Sequence, residues 1–494
     1  MLDPQNIPVI VGIGEITDRD NGKEPRALIV EAARLAGADA PGLLEKLDSI
    51  DVVSIVSWVY KDIAQVVADD LGVRVSHAAE SVAGGEKPIR LLGEIAERIA
   101  RGETQVALLC GGEATRTRVK AAQAGQTLEW GPTNKDAKPI SALDFVTPHA
   151  ARYGLLQPPT VYPLYENRTR HVWNQSAAEA DRESATLWSR YSAAAARNPF
   201  AWITRPHNAE QIAQDSADNR MISYPYRKLM VANPSVNQGA AILVTSLAKA
   251  REAGVPEDRI VYIWSGARAK EPDDFLQRDR YDRSTAQNSV LDTTVAMANR
   301  KPQDFDLIEF YSCFPTVPKM ARRTLGLGED VQPSITGGLT FFGGPANNFM
   351  SHAIAAAVRH IRAGEGHNAL LYGQGEFVTK HAAIVLADSA PAATPEMRDV
   401  QEQADSAAEA VPPLLENYEG PAEVESFTVV YDRTGNPAKA PIITRTPAGE
   451  RVVALVDPAD AEGIAILTEG DRHPIGRTGA ISQGKDGLLQ FRFG

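Results

Sequence analysis

The side chains able to do chemistry in this chain are sparse. Its 494 residues include two cysteines, Cys110 and Cys313, and nine histidines, none at metal-ligand spacing. Cys110 closes the apolar run 105–110 ahead of Gly111-Gly112, the setting of a buried structural thiol. Cys313 stands in Tyr311-Ser312-Cys313-Phe314 and is the second candidate thiol. His352 lies eight residues beyond Gly344, about two helical turns or ~12 Å from that helix's tip. Glu376 closes the run ALLYGQGE and is a candidate acid or base. His149 and His171 have no visible partner and read as surface or packing residues.

Two segments offer chemistry through the backbone instead. Gly84-Gly85 and Gly343-Gly344 each open a helical pattern. A helix start presents unpaired N–H groups and a positive dipole end, which lowers a thiol's pKa or holds an oxyanion. Two such starts facing each other would make a site for acyl transfer, and the residues placed there decide what happens. No cysteine precedes Cys110, so the first start has no thiol to activate.

The elements that position these starts repeat along the chain. GGEKPIRLLGEIAERIARGETQVALLCGGE, from Gly84, matches GGPANNFMSHAIAAAVRHIRAGEGHNALLYGQGE, from Gly343, in order and residue type. Gly102 to Cys110 and Gly364 to Tyr372 are each 8 positions, and the repeats end at Glu113 and Glu376. The strands before them, 50–58 and 305–314, also correspond. The chain reads as two similar α/β halves, with strands alternating with helices at 26–36 and 89–99. Residues 115–220 differ and read as a lid over the core, broken at 133–139, 155–163 and 196–202. There Tyr162, Tyr165, Trp173, Trp188 and Trp202 are expected to pack lid against core. Residues 389–419 are rich in Ala, Pro and acids and read as a linker. From 420 to 494, short strand patterns at 424–431, 440–446, 451–456, 464–467 and 488–493 with glycine turns suggest a small β-barrel.

Composition agrees with a globular multidomain protein, at 43% hydrophobic and 23% charged residues. A net charge of -12 disfavours nucleic acid and anionic lipid as partners. No apolar run approaches the ~20 residues a membrane span needs, and the start lacks a signal-peptide pattern. A cytoplasmic protein with free thiols is expected.

The two halves, together with 337–352, 369–376, 308–314 and VANPSVNQGAAIL at 231–243, resemble the thiolase superfamily. They are closest to sterol-carrier-protein-type thiolases and to thiolase-like proteins with an additional C-terminal domain. The resemblance covers roughly residues 1–388, and the tail from about 420 is similar to that extra domain. It implies a duplicated, layered αβαβα thiolase fold with a lid insertion and an OB-like C-terminal β-barrel. The N-terminal half spans 1–114 and 221–250, the lid 115–220, the C-terminal half 251–388, the linker 389–419 and the barrel 420–494.

Thiolases work through a nucleophilic cysteine, a Gly-His-Pro histidine, a Cys-x-Gly cysteine and an Asn- or His-bearing loop that faces the thioester oxygen. Carried over residue by residue, those positions hold Gly85, Gly344, Tyr372 and Tyr311, while Cys313 and Phe314 are retained. Glycine supplies neither nucleophile nor base, and losing either removes orders of magnitude in rate. A phenol of pKa ~10 is a poor proton shuttle at neutral pH. The implied function is an acetyl-CoA acetyltransferase homologue that binds coenzyme A or acyl-CoA, holds no tight cofactor or metal, and has weak or absent thiolase activity. Asn233, Ser235 and Gly239 match the loop that contacts pantetheine, and Arg190, Arg197, Arg205 and Arg227 are cations able to meet its phosphates. The other readings are an altered transferase or hydrolase using Cys313, Tyr311, His352 or Glu376, and a non-catalytic partner docking through its tail. The resemblance leans towards a monomer over a dimer.

Overall fold

A computed structural model of the chain describes residues 2–20, 22–134, 136, 138–469 and 473–494. Two positions of the 133–139 breaker run, 135 and 137, lie outside them. The first half runs β1 (Pro8–Thr17), α1 (Pro25–Asp39), β2 (Ser49–Val52), α2 (Ile63–Leu71), β3 (His77–Glu80), α3 (Lys87–Ala100) and β4 (Val106–Ala114). A mainly helical stretch follows, with α4 (Thr115–Gln123), α5 (Pro158–Val172) and α6 (Ala177–Arg197), then the short strands Met221–Ser223 and Tyr226–Arg227, before β5 (Asn237–Ser246) completes the half. The second half runs β6 (Val261–Lys270), α7 (Thr285–Met297), β7 (Leu307–Phe310), α8 (Thr316–Thr324), α9 (Phe349–Arg362), β8 (Asn368–Gly375) and β9 (Lys380–Ala387), with β10 (Met397–Asp399) beside β6.

The strand order β3-β2-β4-β5-β1-β6-β9-β8-β7 is the duplication written in space. β2 lies parallel to β4, as β7 does to β8. β4 is antiparallel to β5 and β5 to β1, as β8 is to β9 and β9 to β6. Val52 pairs with Cys110 and Phe310 with Tyr372, so those two residues are register equivalents. Within the sheet, β1 and β6 join the halves through Val9 with Tyr262 and Ile10 with Val261. The helices α3 and α9 pack against strands of both halves. On α3, Ile89, Leu92, Ile95, Ala96 and Ile99 are all buried, and each large apolar side chain removed from water stabilises the fold by about 1.5–3 kcal/mol.

The lid aromatics bind the second half. Tyr162 Oη donates to the Glu376 carbonyl at 2.5 Å, Tyr165 Oη to the Phe377 carbonyl at 2.6 Å, and Trp188 Nε1 to Thr340 Oγ1 at 3.0 Å. In the tail, β11 (Gly420–Phe427), β12 (Pro437–Arg445), β13 (Arg451–Val456), β14 (Thr478–Gln483) and β15 (Leu489–Phe493) close a five-stranded barrel in the ring β11-β12-β13-β15-β14. Two expectations fail here. Residues 464–467 are no strand but part of the helix Ala461–Thr468, which Asp460 caps by accepting from the Gly463 N–H at 3.0 Å; the run AEGIAILT lacks the period-two alternation of a half-buried strand. The strand at Thr478–Gln483 went unpredicted because its pattern, exposed at five of six positions or nearly so, carries little apolar signal. The strand expected over 50–58 ends at Val52, and the chain beyond it turns so that Glu113 accepts from the Val56 and Ser57 N–H groups at 2.7 and 2.8 Å.

Candidate functional site

The two glycine-opened starts come together. Gly84 and Gly343 adopt φ of 154° and 120°, a region that glycine enters at no steric cost. The side chain of Asn347, just ahead of α9, accepts from the Gly84 N–H at 3.0 Å and donates to the Ser54 carbonyl at 3.0 Å. One amide thus ties the loop of α3 to the loop of α9. The Gly344 N–H donates to the Asn233 carbonyl at 2.8 Å, which brings the 231–236 loop to the same place.

The two glycines differ in the room around them. A Cβ on Gly85 would lie 2.6 Å from the Tyr311 hydroxyl and closer still to the Gln374 carbonyl, so the phenol stands where a nucleophile's side chain would begin. A Cβ on Gly344 would find its nearest neighbour, the Asn233 carbonyl oxygen, at 3.3 Å. A side chain at Gly344 is tight against Asn233, which would have to give by a few tenths of an ångström, and one at Gly85 is shut out. Burial lifts the Tyr311 phenol well above its ordinary range, with Cys313 and Glu86 adding to the effect. It stays protonated at neutral pH and is no base.

Tyr372 points away from the helix starts. Its hydroxyl accepts from Gln287 Nε2 at 2.9 Å and shares a hydrogen bond with His381 Nδ1 at 2.7 Å. Its neighbour Gly373 faces inward instead, and a Cβ there would meet the Glu86 Cα at 3.1 Å and Met350 Cγ at 3.2 Å. Successive residues of a strand face opposite sides, so the Cys-x-Gly assignment at Tyr372 is one residue out of phase with the site.

The remaining candidates disperse. Cys313 is buried with Sγ 3.8 Å from Gln374 Oε1, and burial pushes its thiol up to about 12. Its partner is an amide, not an imidazole. Burial also raises the Cys110 thiol, with the Asp51 charge beside it. His352 lies fully buried on α9 with Nδ1 2.8 Å from Glu15 Oε1, and Arg359 holds the other Glu15 oxygen. That is a structural ion cluster away from Gly85. Glu376 pairs with Lys380, sits at φ 55°, and lines a cavity of about 410 Å³ with Val82, Ala83, Asp144 and Asp274. Asn233 Oδ1 accepts from the Ser235 N–H at 3.2 Å, so this pair forms a turn beside Gly344. Gly239 is explained by packing: a Cβ there would strike Leu28 of α1 at 2.9 Å. Of the four arginines, Arg227 is paired with Asp181 and Asp215, and Arg190 donates to the carbonyls of Glu329 and Val331.

Sequence reasoning missed two groups at the centre. Gln374 donates to Tyr162 Oη at 3.0 Å and to the Gly375 carbonyl at 2.7 Å, closing the space beside Cys313. Glu86, one residue before α3, is buried with Oε1 3.2 Å from Lys87 Nζ, and its Oε2 has no partner among the described residues. Both were visible, as the polar residue between Gly373 and Gly375 and the one after Gly84-Gly85.

These features, two fused α/β halves of one topology and a closed barrel behind them, define a thiolase-like protein. Residues 399–486 match the family described as thiolase-like protein type 1 additional C-terminal domain. Over its whole length the chain is similar to a monomeric SCP2-thiolase like protein type 1 from Mycobacterium smegmatis, at 30% identity and a TM-score of 0.84, with 100% of both chains covered. It is 22% identical over 293 residues to an acetyl-CoA acetyltransferase of Methanocaldococcus jannaschii, covering 58% of this chain and 68% of that protein. An Ltp2-ChsH2(DUF35) aldolase shares the fold at 18% identity and a TM-score of 0.60, over 78% of this chain and 99% of that one. The chain belongs to the thiolase-like proteins that carry an additional C-terminal domain.

Proposed function

We propose that this protein binds a coenzyme A thioester and does not run Claisen chemistry on it. The observation that carries the reading is the Tyr311 hydroxyl 2.6 Å from where a Gly85 side chain would begin. With glycine at the nucleophile and base positions, and both thiols buried and raised, no group is left to take the acyl chain. The ligand side is better furnished. The turn at Asn233 and Ser235 lies against Gly344, whose N–H donates to the Asn233 carbonyl. The Arg116 N–H donates to the Val236 carbonyl at 3.2 Å, which puts a cation next to that turn. The Arg116 and Arg19 guanidinium carbons lie 5.3 and 5.5 Å from the centre of the Trp202 ring, a combination suited to phosphate and a flat base. The monomeric relative supports a protein that works without a second copy.

Isothermal titration of the full chain with coenzyme A and acetyl-CoA tests the binding, and a thiolysis assay with acetoacetyl-CoA tests the chemistry. The expected result is saturable binding that weakens in Arg116→Ala, with no thiolysis above the uncatalysed rate. Absence of binding at millimolar ligand overturns the first half of the reading, and turnover by the wild-type chain overturns the second.

A further inference from the structure

We propose that a cleft at the far end of α9 is a second binding site, taking an amphipathic anion: one carboxylate or phosphate head on an apolar body. The 14 residues of α9 separate it from Gly344 by roughly 20 Å. The cleft has a volume of about 620 Å³ and lies between β1, α1, the end of the lid and the last turn of α9. Its floor is apolar, made by Ile13, Leu35, Ala38 and Phe200, and its rim is Arg259, Arg359 and Arg362. Leu35 is a large apolar side chain left 45% exposed there. A mostly apolar cleft of a few hundred Å³ with a few fixed polar groups is the usual form of a small-molecule site.

The rim is held in place from behind. Arg362 donates to the Arg259 and Val11 carbonyls at 2.7 and 2.8 Å and to Asp39, and its side chain is 4% exposed. Arg259 also pairs with Asp39 yet remains 43% exposed. Arg359 pairs with Glu15 and lies 4.9 Å over the Phe200 ring. The carboxylates of the cleft, Glu15 and Asp39, are therefore already taken. A guanidinium has five N–H donors, so Arg259 and Arg359 keep donors for an incoming head group after pairing. A second cleft of about 320 Å³ adjoins through Arg359 and Ala363 and brings in Arg197, which makes no ion pair among the described residues. The pull of a helix C-terminus on cations accounts for Arg359 and Arg362 in the last turn of α9. It does not account for the exposed floor below them. In a chain of net charge -12, a cleft whose outward polar groups are guanidinium N–H donors selects for anions.

The test titrates the full chain with decanoate and decyl phosphate below their micelle concentrations, with decyl maltoside and inorganic phosphate alongside. Both decyl anions are expected to bind, and neither the uncharged amphiphile nor phosphate alone. The tighter of the two heads identifies the source of the anion. Leu35→Glu places a like charge on an exposed position of the floor and is expected to weaken binding at least about tenfold through lost apolar contact and repulsion. Leu143→Glu, at a still more exposed leucine in the lid, is expected to leave affinity within about twofold, since distant sites do not couple. Arg259→Ser leaves Arg362 on Asp39 and is expected to weaken the anions without exposing the floor further. Equal decanoate affinity in wild type and Leu35→Glu overturns the proposal, as does equal binding of decyl maltoside. Binding that persists at saturating coenzyme A supports a separate site, and competition between the two overturns it.

Discussion

Replacing Gly85 and Gly344 by alanine separately measures the asymmetry between a position that is shut and one that is merely tight. At Gly85 the added methyl would stand 2.6 Å from the Tyr311 hydroxyl and closer to the Gln374 carbonyl. Neither neighbour can give freely. Gln374 is paired with His381 in the β8–β9 ladder, the Tyr311 N–H donates to the Tyr372 carbonyl at 2.9 Å, and the Tyr311 ring lies edge-on to Phe349 at 5.8 Å. Overpacking of this kind costs about 1–3 kcal/mol. At Gly344 the first neighbour is at 3.3 Å, and the smaller unfolded-state entropy of alanine offsets a few tenths to ~1 kcal/mol of any strain. The two variants should therefore differ by about 1–3 kcal/mol in stability, with Gly85→Ala the weaker. Urea titration with an unchanged m-value reads that difference as a shift in midpoint. Adding Tyr311→Phe to Gly85→Ala should recover part of the loss, because the hydroxyl leaves while the ring and the carbonyl stay. Unfolding free energies of the two single variants that agree within about 0.3 kcal/mol, the usual limit of additivity, would refute the claim that the phenol and carbonyl fill the space of a Gly85 side chain.

Both cysteines are buried with raised thiols; the native protein should react with less than one equivalent of a disulfide reagent at pH 8 over minutes, and the unfolded chain with two. Burial alone would raise the Glu183 carboxyl, but hydrogen bonds from Arg323 and Gln175 and the charge of Lys319 hold it at about 2. Its folded pKa is depressed, so its stabilisation is complete above the unfolded value near 4.5 and is lost as pH falls towards about 2. At ~1.4 kcal/mol per pH unit this amounts to about 3 kcal/mol, and denaturant titrations from pH 6 to pH 3.5 should show a shallower acid loss in Glu183→Gln than in wild type. Arg451 is fully buried, donates to the Leu276 and Arg278 carbonyls at 2.6 Å each, and holds Glu425 at 2.8 and 2.9 Å. Arg451→Ala should destabilise by about 3–5 kcal/mol, as breaking a buried pair does, and expose the 409–420 segment to limited proteolysis; lysine, lacking the fork, should not rescue it.

The fold was legible because it is a repeat. The 8-residue spacing from Gly102 to Cys110 and from Gly364 to Tyr372 is a register match, since Val52 opposes Cys110 as Phe310 opposes Tyr372. The geometry of the site was much less legible. Gly85 and Gly344 look alike in a sequence, and what separates them is Tyr311, more than two hundred residues away along the chain. Tyr372 was assigned to the wrong face because a motif match tolerates a one-residue slip that a pleated strand does not. Gly239 looked like a ligand contact because small residues near loops serve both purposes, and only the approach of Leu28 at 2.9 Å decides between them. In the barrel, Arg451 sits in the apolar run RVVALV, where nothing local signals that it reaches two carbonyls of the other domain.

The Asn347 amide that fastens Gly84 to Ser54 grips backbone groups at both ends. It holds two helix mouths side by side without help from any side chain of Gly85 or Gly344, so the vestibule's frame is independent of what is placed at its door. A frame fastened in this way can be refurnished by exchanging a few side chains there.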